Sequence, residues 1–85
     1  MTDTSEQAVD SLEAIALLTR SAAHDINNHM AAILSLAELV LETLPEGHAA
    51  REDIEEIRAA GLRAVARTRE LDRMARQLAP IGRAA

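Results

Sequence analysis

Leu44-Pro45-Glu46-Gly47-His48 is the one strong interruption in the middle of this 85-residue chain. A proline lacks the N–H that a continuing helix needs, and a glycine two residues later permits a tight reversal. On either side nothing alternates with the period of a strand. The sequence therefore predicts an all-α fold: a helix over residues 5–44, a turn over 45–48 and a second helix over 49–78. Pro80, followed by Gly82, is expected to close the second helix. Thr4 or Ser5 can cap the first, and Thr4 with Gln7 has the spacing of a capping box. At ~1.5 Å per residue the first helix would be about 60 Å long, the length of a coiled-coil rod rather than of an element in a globule.

Working outward from the turn, the apolar pattern is a heptad seam. On the first helix it runs through Val9, Leu12, Ala16, Thr19, Ala23, Ile26, Met30, Ile33, Ala37, Val40 and Leu44, in unbroken steps of three and four. On the second it runs through Ile54, Ile57, Gly61, Ala64, Thr68, Leu71, Ala75 and Leu78. Ile15, Leu18, Ala22, Leu34, Leu36 and Leu41 widen the first stripe, and Leu62 and Val65 widen the second. A helix with so wide a stripe touches two neighbours, as in a four-helix bundle. One antiparallel hairpin supplies two helices, so the expectation is a single domain over residues 1–85 that completes the bundle as a homodimer.

Composition points the same way. The chain has no cysteine and no aromatic residue, and Ala, Leu, Ile and Val make up most of its 48% hydrophobic content. Neither disulfides nor ring side chains can reinforce so small a core, which favours self-association. The net charge of −5 argues against nucleic acid or an anionic membrane as the main partner. Charged or amide side chains interrupt each apolar stretch before it reaches the length of a membrane span. Residues 1–6 lack the basic and apolar regions of a signal peptide. A soluble, cytoplasmic protein is expected.

One segment breaks the monotony: His24-Asp25-Ile26-Asn27-Asn28-His29. Short polar side chains compete for backbone hydrogen bonds and are mediocre mid-helix residues, so stability alone does not account for them. With Ala23 and Ile26 in the seam, His24, Asp25 and Asn28 point outward, and His24 and Asn28 lie one turn apart. A neutral imidazole is a competent nucleophile near physiological pH, and a carboxylate beside it can orient it or take its proton. An amide one turn on can hold a water or a phosphoryl oxygen. Together these groups suit the making and breaking of a phosphohistidine. A metal site is the weaker reading: Asp25 and His29 are four apart, but no third ligand has suitable spacing. The arginines of the second helix (Arg58, Arg63, Arg67, Arg69, Arg73 and Arg76) interleave with glutamates as a solvated, salt-bridging face, and His48 is expected to be ordinary. Arg20, one turn before His24, is within reach of a phosphoryl group there, although a surface role is the expectation.

Ala23-His24-Asp25-Ile26-Asn27-Asn28 resembles the A-H-D-F-N-N phospho-acceptor box of a large group of bacterial two-component sensor histidine kinases. Ile33 and Leu36-Ala37-Glu38-Leu39 resemble the continuation of that helix. Leu44-Pro45-Glu46 and Arg51-Glu52-Asp53-Ile54-Glu55-Glu56-Ile57 resemble the turn and the start of the second helix. Thr68-Arg69-Glu70-Leu71 to Arg76-Gln77 resembles its end. The likeness spans about residues 20–80 without gaps, and so many parts in register are more specific than one motif.

The resemblance implies that His24 accepts the γ-phosphoryl group of ATP and passes it to an aspartate of a response-regulator receiver domain. It implies that Asp25 is the general base and that Asn28 orients the water when the domain acts as a phosphatase. It places receiver docking on the helix face that includes Ala31, Ser35, Glu38 and Leu39. Asn27 belongs to the box without a defined role. Ile26, His29 and Asp72 depart from the family, which has phenylalanine at the first and leucine at the other two. The Asn- and Gly-rich nucleotide motifs of the family's kinases are missing, so the chain is expected to hold no cofactor of its own. ATP and magnesium would come through a separate kinase domain, in cis or in trans, and the chain is either a segment of a kinase or a stand-alone phosphotransfer protein. The competing reading is a coiled-coil dimerisation or scaffold module, which the heptads fit equally well.

Overall fold

The computed structural model describes residues 4–82, with side chains described for residues 4–78. It contains two helices, α1 (Thr4–Thr43) and α2 (Ala49–Gly82), packed side by side as an antiparallel hairpin 68 Å long and 18 by 14 Å across. Thr4 and Ser5 already lie within the first helix, so the expected cap at either residue is not formed. The second runs through Pro80 to Gly82, four residues beyond the expected end. Proline's fixed φ is compatible with a helix, and its missing N–H removes only one i→i−4 bond close to a terminus.

The turn is fully built from local hydrogen bonds. Leu44 N donates to Val40 O at 3.0 Å, and His48 N donates to Pro45 O at 3.1 Å. Gly47 has φ +83°, which at the third position of such a turn matches type II geometry and favours glycine. His48 is the N-cap of α2, its Nδ1 accepting from Ala50 N at 3.0 Å. Arg51 reaches back to close the end of α1, its guanidinium donating to Leu41 O at 2.9 Å and Leu44 O at 3.4 Å. Carbonyls that the last helical turn leaves unpaired are satisfied in this way, and the reversal is pinned from both sides.

The seam divides into two halves. Ala16, Ala23 and Ala37 on α1, and Gly61, Thr68 and Ala75 on α2, are buried. These residues recur every seven positions or multiples of seven, so a single heptad row of small side chains forms the contact between the helices. The Gly61 position shows how close that contact is: a Cβ there would stand 2.8 Å from Leu34 Cδ2. Alternate seam positions carry the large side chains, and they stay open. Leu12, Ile26, Ile33 and Val40 on α1 are 38–42% exposed, and Ile57 and Leu71 on α2 are 50% and 46% exposed. A compact monomer of 9.2 kDa would expose about 4,900 Å², whereas this hairpin exposes 6512 Å².

Polar contacts between the helices fall on the opposite flank from those open side chains. Arg20 Nε lies 3.5 Å from Asp72 Oδ1, and Arg58 Nε lies 3.4 Å from Glu38 Oε1. The buried Thr68 hydroxyl donates to Asn27 Oδ1 and also lies within bonding distance of Val65 O at 3.0 Å and Ala64 O at 3.2 Å. The hairpin thus has one flank tied by polar groups and one flank that is apolar and bare.

Candidate phospho-acceptor site

The polar segment falls in the middle of α1, on uninterrupted helix. At about 100° per residue, His24 lies roughly a quarter-turn from buried Ala23, on the tied flank, and Asn28 lies about 40° further round and one turn along. Asp25 is displaced from His24 by another 100° or so, away from α2. All three side chains are exposed. Among the described residues none of the three enters a hydrogen bond or an ion pair. The structure therefore presents them on one continuous surface, and it does not join Asp25 to His24 directly.

His24 lines a groove of about 580 Å³ between the helices. Its other polar walls are Arg20, Ser21 and Asn27 from α1, and Arg69, Asp72, Arg73 and Arg76 from α2. Asp72 is the only carboxylate among them. It accepts from Arg76 Nε at 2.8 Å and stands 3.5 Å from Arg20 Nε. The second approach has the distance of an ion pair but not the direction of a hydrogen bond, and Arg20 Nε is buried with no acceptor. Arg69 and Arg73 enter no ion pair among the described residues. The groove continues past Asn27 and Arg69 into a more apolar stretch lined by Ala31, Leu34, Leu62, Val65 and Ala66.

Two features were not visible in the sequence reading. Asn27, the box residue without a defined role, is the cross-helix partner of Thr68 and anchors α1 to α2 one helical turn from Ala23 and His24. A hydrogen bond contributes about 0.5–1.5 kcal/mol net, and this one forms only when Asn27 and Thr68 stand opposite each other, so the pair favours this register of the two helices. The second feature is the arginine wall. Arg58, Arg67 and Arg76 form ion pairs, as a salt-bridging face should, but among the described residues Arg63, Arg69 and Arg73 do not, and of these Arg69 and Arg73 line the groove. Their spacing with Arg76, four and then three residues, places all three on one helix face and was the available signal. Asp72 is a carboxylate bracketed by Arg20 and Arg76.

His48, expected to be ordinary, is a helix cap. His29 is exposed and lies on the bare flank with Ile26 and Ile33. Among the described residues no group of acidic or histidine side chains is arranged to hold a metal ion, and no helix is long and apolar enough to cross a membrane. The chain matches no protein-family model, no curated protein and no solved structure.

Proposed function

We propose that this chain is a histidine phospho-acceptor and dimerisation domain of two-component signalling. The observation that carries the reading is His24 itself: an exposed, unbonded imidazole in mid-helix at the mouth of an arginine-lined groove. A ring nitrogen of His24 attacks the phosphorus of the donor, the bond from phosphorus to the leaving oxygen breaks with its electron pair on that oxygen, and a P–N bond forms. The proton lost from the ring passes to the Asp25 carboxylate, reached by side-chain rotation or through one water. The donor ATP, with magnesium, is supplied by a separate kinase domain. The phosphoryl group then moves from His24 to a carboxylate oxygen of a receiver-domain aspartate. In the reverse role, Asn28 holds the water that hydrolyses the aspartyl phosphate.

The receiver domain docks along the α1 face that carries His24, with Ala31 in the apolar continuation of the groove. Dimerisation uses the other flank. Leu12, Ile26, Ile33, Ile57 and Leu71 are the residues that a second hairpin covers, and a surface larger than a compact monomer's by roughly 1,600 Å² is of the size that such an interface removes. That flank by itself also suits a module that only dimerises, so the two readings separate at His24.

The test is phosphoryl uptake by the purified protein from phosphoramidate or from an ATP-loaded catalytic domain of a histidine kinase, followed by intact mass. An acid-labile phosphoryl group on the wild type, absent from folded His24→Ala, is the expected result. A folded dimer that takes up nothing from either donor would leave the dimerisation module standing alone.

A further inference from the structure

We propose that the groove beside His24 is a seat for a phosphate-type dianion, formed by Arg69 and Arg73 on α2 with Arg20 and Arg76 at its edges. Its identification with the phosphoryl group of phospho-His24 rests on the phospho-acceptor reading; the seat itself rests on the arrangement of charge. Four arginines and one aspartate line the groove, a local charge of +3 on a chain whose net charge is −5. A cationic concavity on an acidic protein is not a by-product of composition. The cations are also available. Asp72 engages only Arg76 in a well-directed hydrogen bond, Arg69 and Arg73 have no carboxylate partner among the described residues, and Arg20 keeps a buried Nε–H with no acceptor.

The chemistry of the missing acceptor follows from the donors. Guanidinium groups offer N–H donors in planar forks, which match oxygens carried on phosphorus two at a time. Here the forks come from both helices, so a tetrahedral anion between them meets donors from opposite sides. The His24 imidazole lines the same groove and is the one imidazole in it. An anion seated there is therefore adjacent to the group that forms the P–N bond, and its dianionic charge is offset by the arginines throughout.

The experiment is a titration of the full chain with inorganic phosphate, followed by NMR of the arginine Nε–H and His24 signals at constant ionic strength. The expected result is saturable binding that chloride does not reproduce. Arg69→Gln/Arg73→Gln should weaken it about tenfold or more. Arg63→Gln/Arg67→Gln, which removes the same charge from the same helix outside the groove, should leave it unchanged. Absence of saturable binding to the wild type, or equal weakening by both double variants, would overturn the seat. With phosphoryl on His24, free phosphate should no longer bind, and undiminished binding would overturn its assignment to phospho-His24. Phosphate binding lost only in Arg69→Gln/Arg73→Gln, without uptake at His24 from either donor, would sink the phospho-acceptor reading and leave the seat in place.

Discussion

The two flanks of the hairpin are built from the same pair of helices and the same heptad, yet they solve opposite problems. On one flank Arg20, Asn27 and Leu34 meet Asp72, Thr68 and Gly61, and the contacts are short, polar or close-fitting. On the other, Ile26, Ile33, Ile57 and Leu71 remain 42–50% exposed. The difference shows that burial here follows side-chain size rather than hydrophobicity. Alanine, glycine and threonine let the two backbones approach, and that approach leaves the isoleucines and leucines outside the contact line. A hairpin alone would prefer those large side chains inside, where each is worth about 1.5–3 kcal/mol. Their position suits the proposed pairing of two hairpins.

The sharpest way to break the contrast is Ile33→Asp. In an isolated hairpin Ile33 is 42% exposed, and an aspartate there would cost under about 1 kcal/mol. Across a dimer contact it would bury an unpaired carboxylate and weaken association by several kcal/mol. Light scattering and a concentration-dependent melting temperature distinguish the cases, and the expected outcome is conversion of a dimer to monomer. A monomeric wild type with an unchanged melting curve in the variant would remove the assembly from the account.

A smaller effect is expected on the tied flank. Asn27→Leu removes the cross-helix bond while the Thr68 hydroxyl keeps the Val65 and Ala64 carbonyls, so the cost should be about 0.5–1.5 kcal/mol. Adding Thr68→Val should recover most of that loss, because the pair then becomes apolar on both sides. Urea unfolding of the single and double variants measures the coupling. Additive losses would mean that the two side chains do not depend on each other.

The smallest change is expected from Asp72→Leu, which removes the groove's carboxylate. Its ion pairs with Arg20 and Arg76 are partly solvated, so stability should move by about 1 kcal/mol or less. Phosphate binding should nevertheless strengthen, because the only carboxylate in the groove is gone. Weaker phosphate binding in this variant would show that Asp72 positions the arginines rather than competing for them.

Much of this architecture was legible in residue order. The Pro45–His48 interruption and the unbroken three–four steps specify two long helices and their reversal, because both signals are local. Which half of the seam would close within the chain was not legible. A heptad stripe states that a face is covered, and the intramolecular partner and a second copy satisfy it equally. The arginine wall was hidden for a related reason. Whether Arg69 faces water or His24 depends on the register of the antiparallel pair, which is set by the turn and by the Asn27–Thr68 contact. The Pro80 expectation failed because the rule concerns helix interiors, and near a terminus one lost bond is inexpensive. His24, Asp25 and Asn28 were singled out by chemistry and position, and the structure places all three exposed on α1.

The row of Ala16, Ala23, Ala37, Gly61 and Ala75 has a mechanical side. Side chains this short make low ridges, so neither helix is geared into the other by interlocking bulk. Resistance to rolling one helix against its neighbour rests on the flank instead: the Arg51 clasp at the turn, Leu34 against Gly61, and the Asn27–Thr68 latch near mid-rod. A modest twist applied at the open end of the hairpin would travel along the low seam until it met the Arg20–Asp72 pair and the latch beside His24.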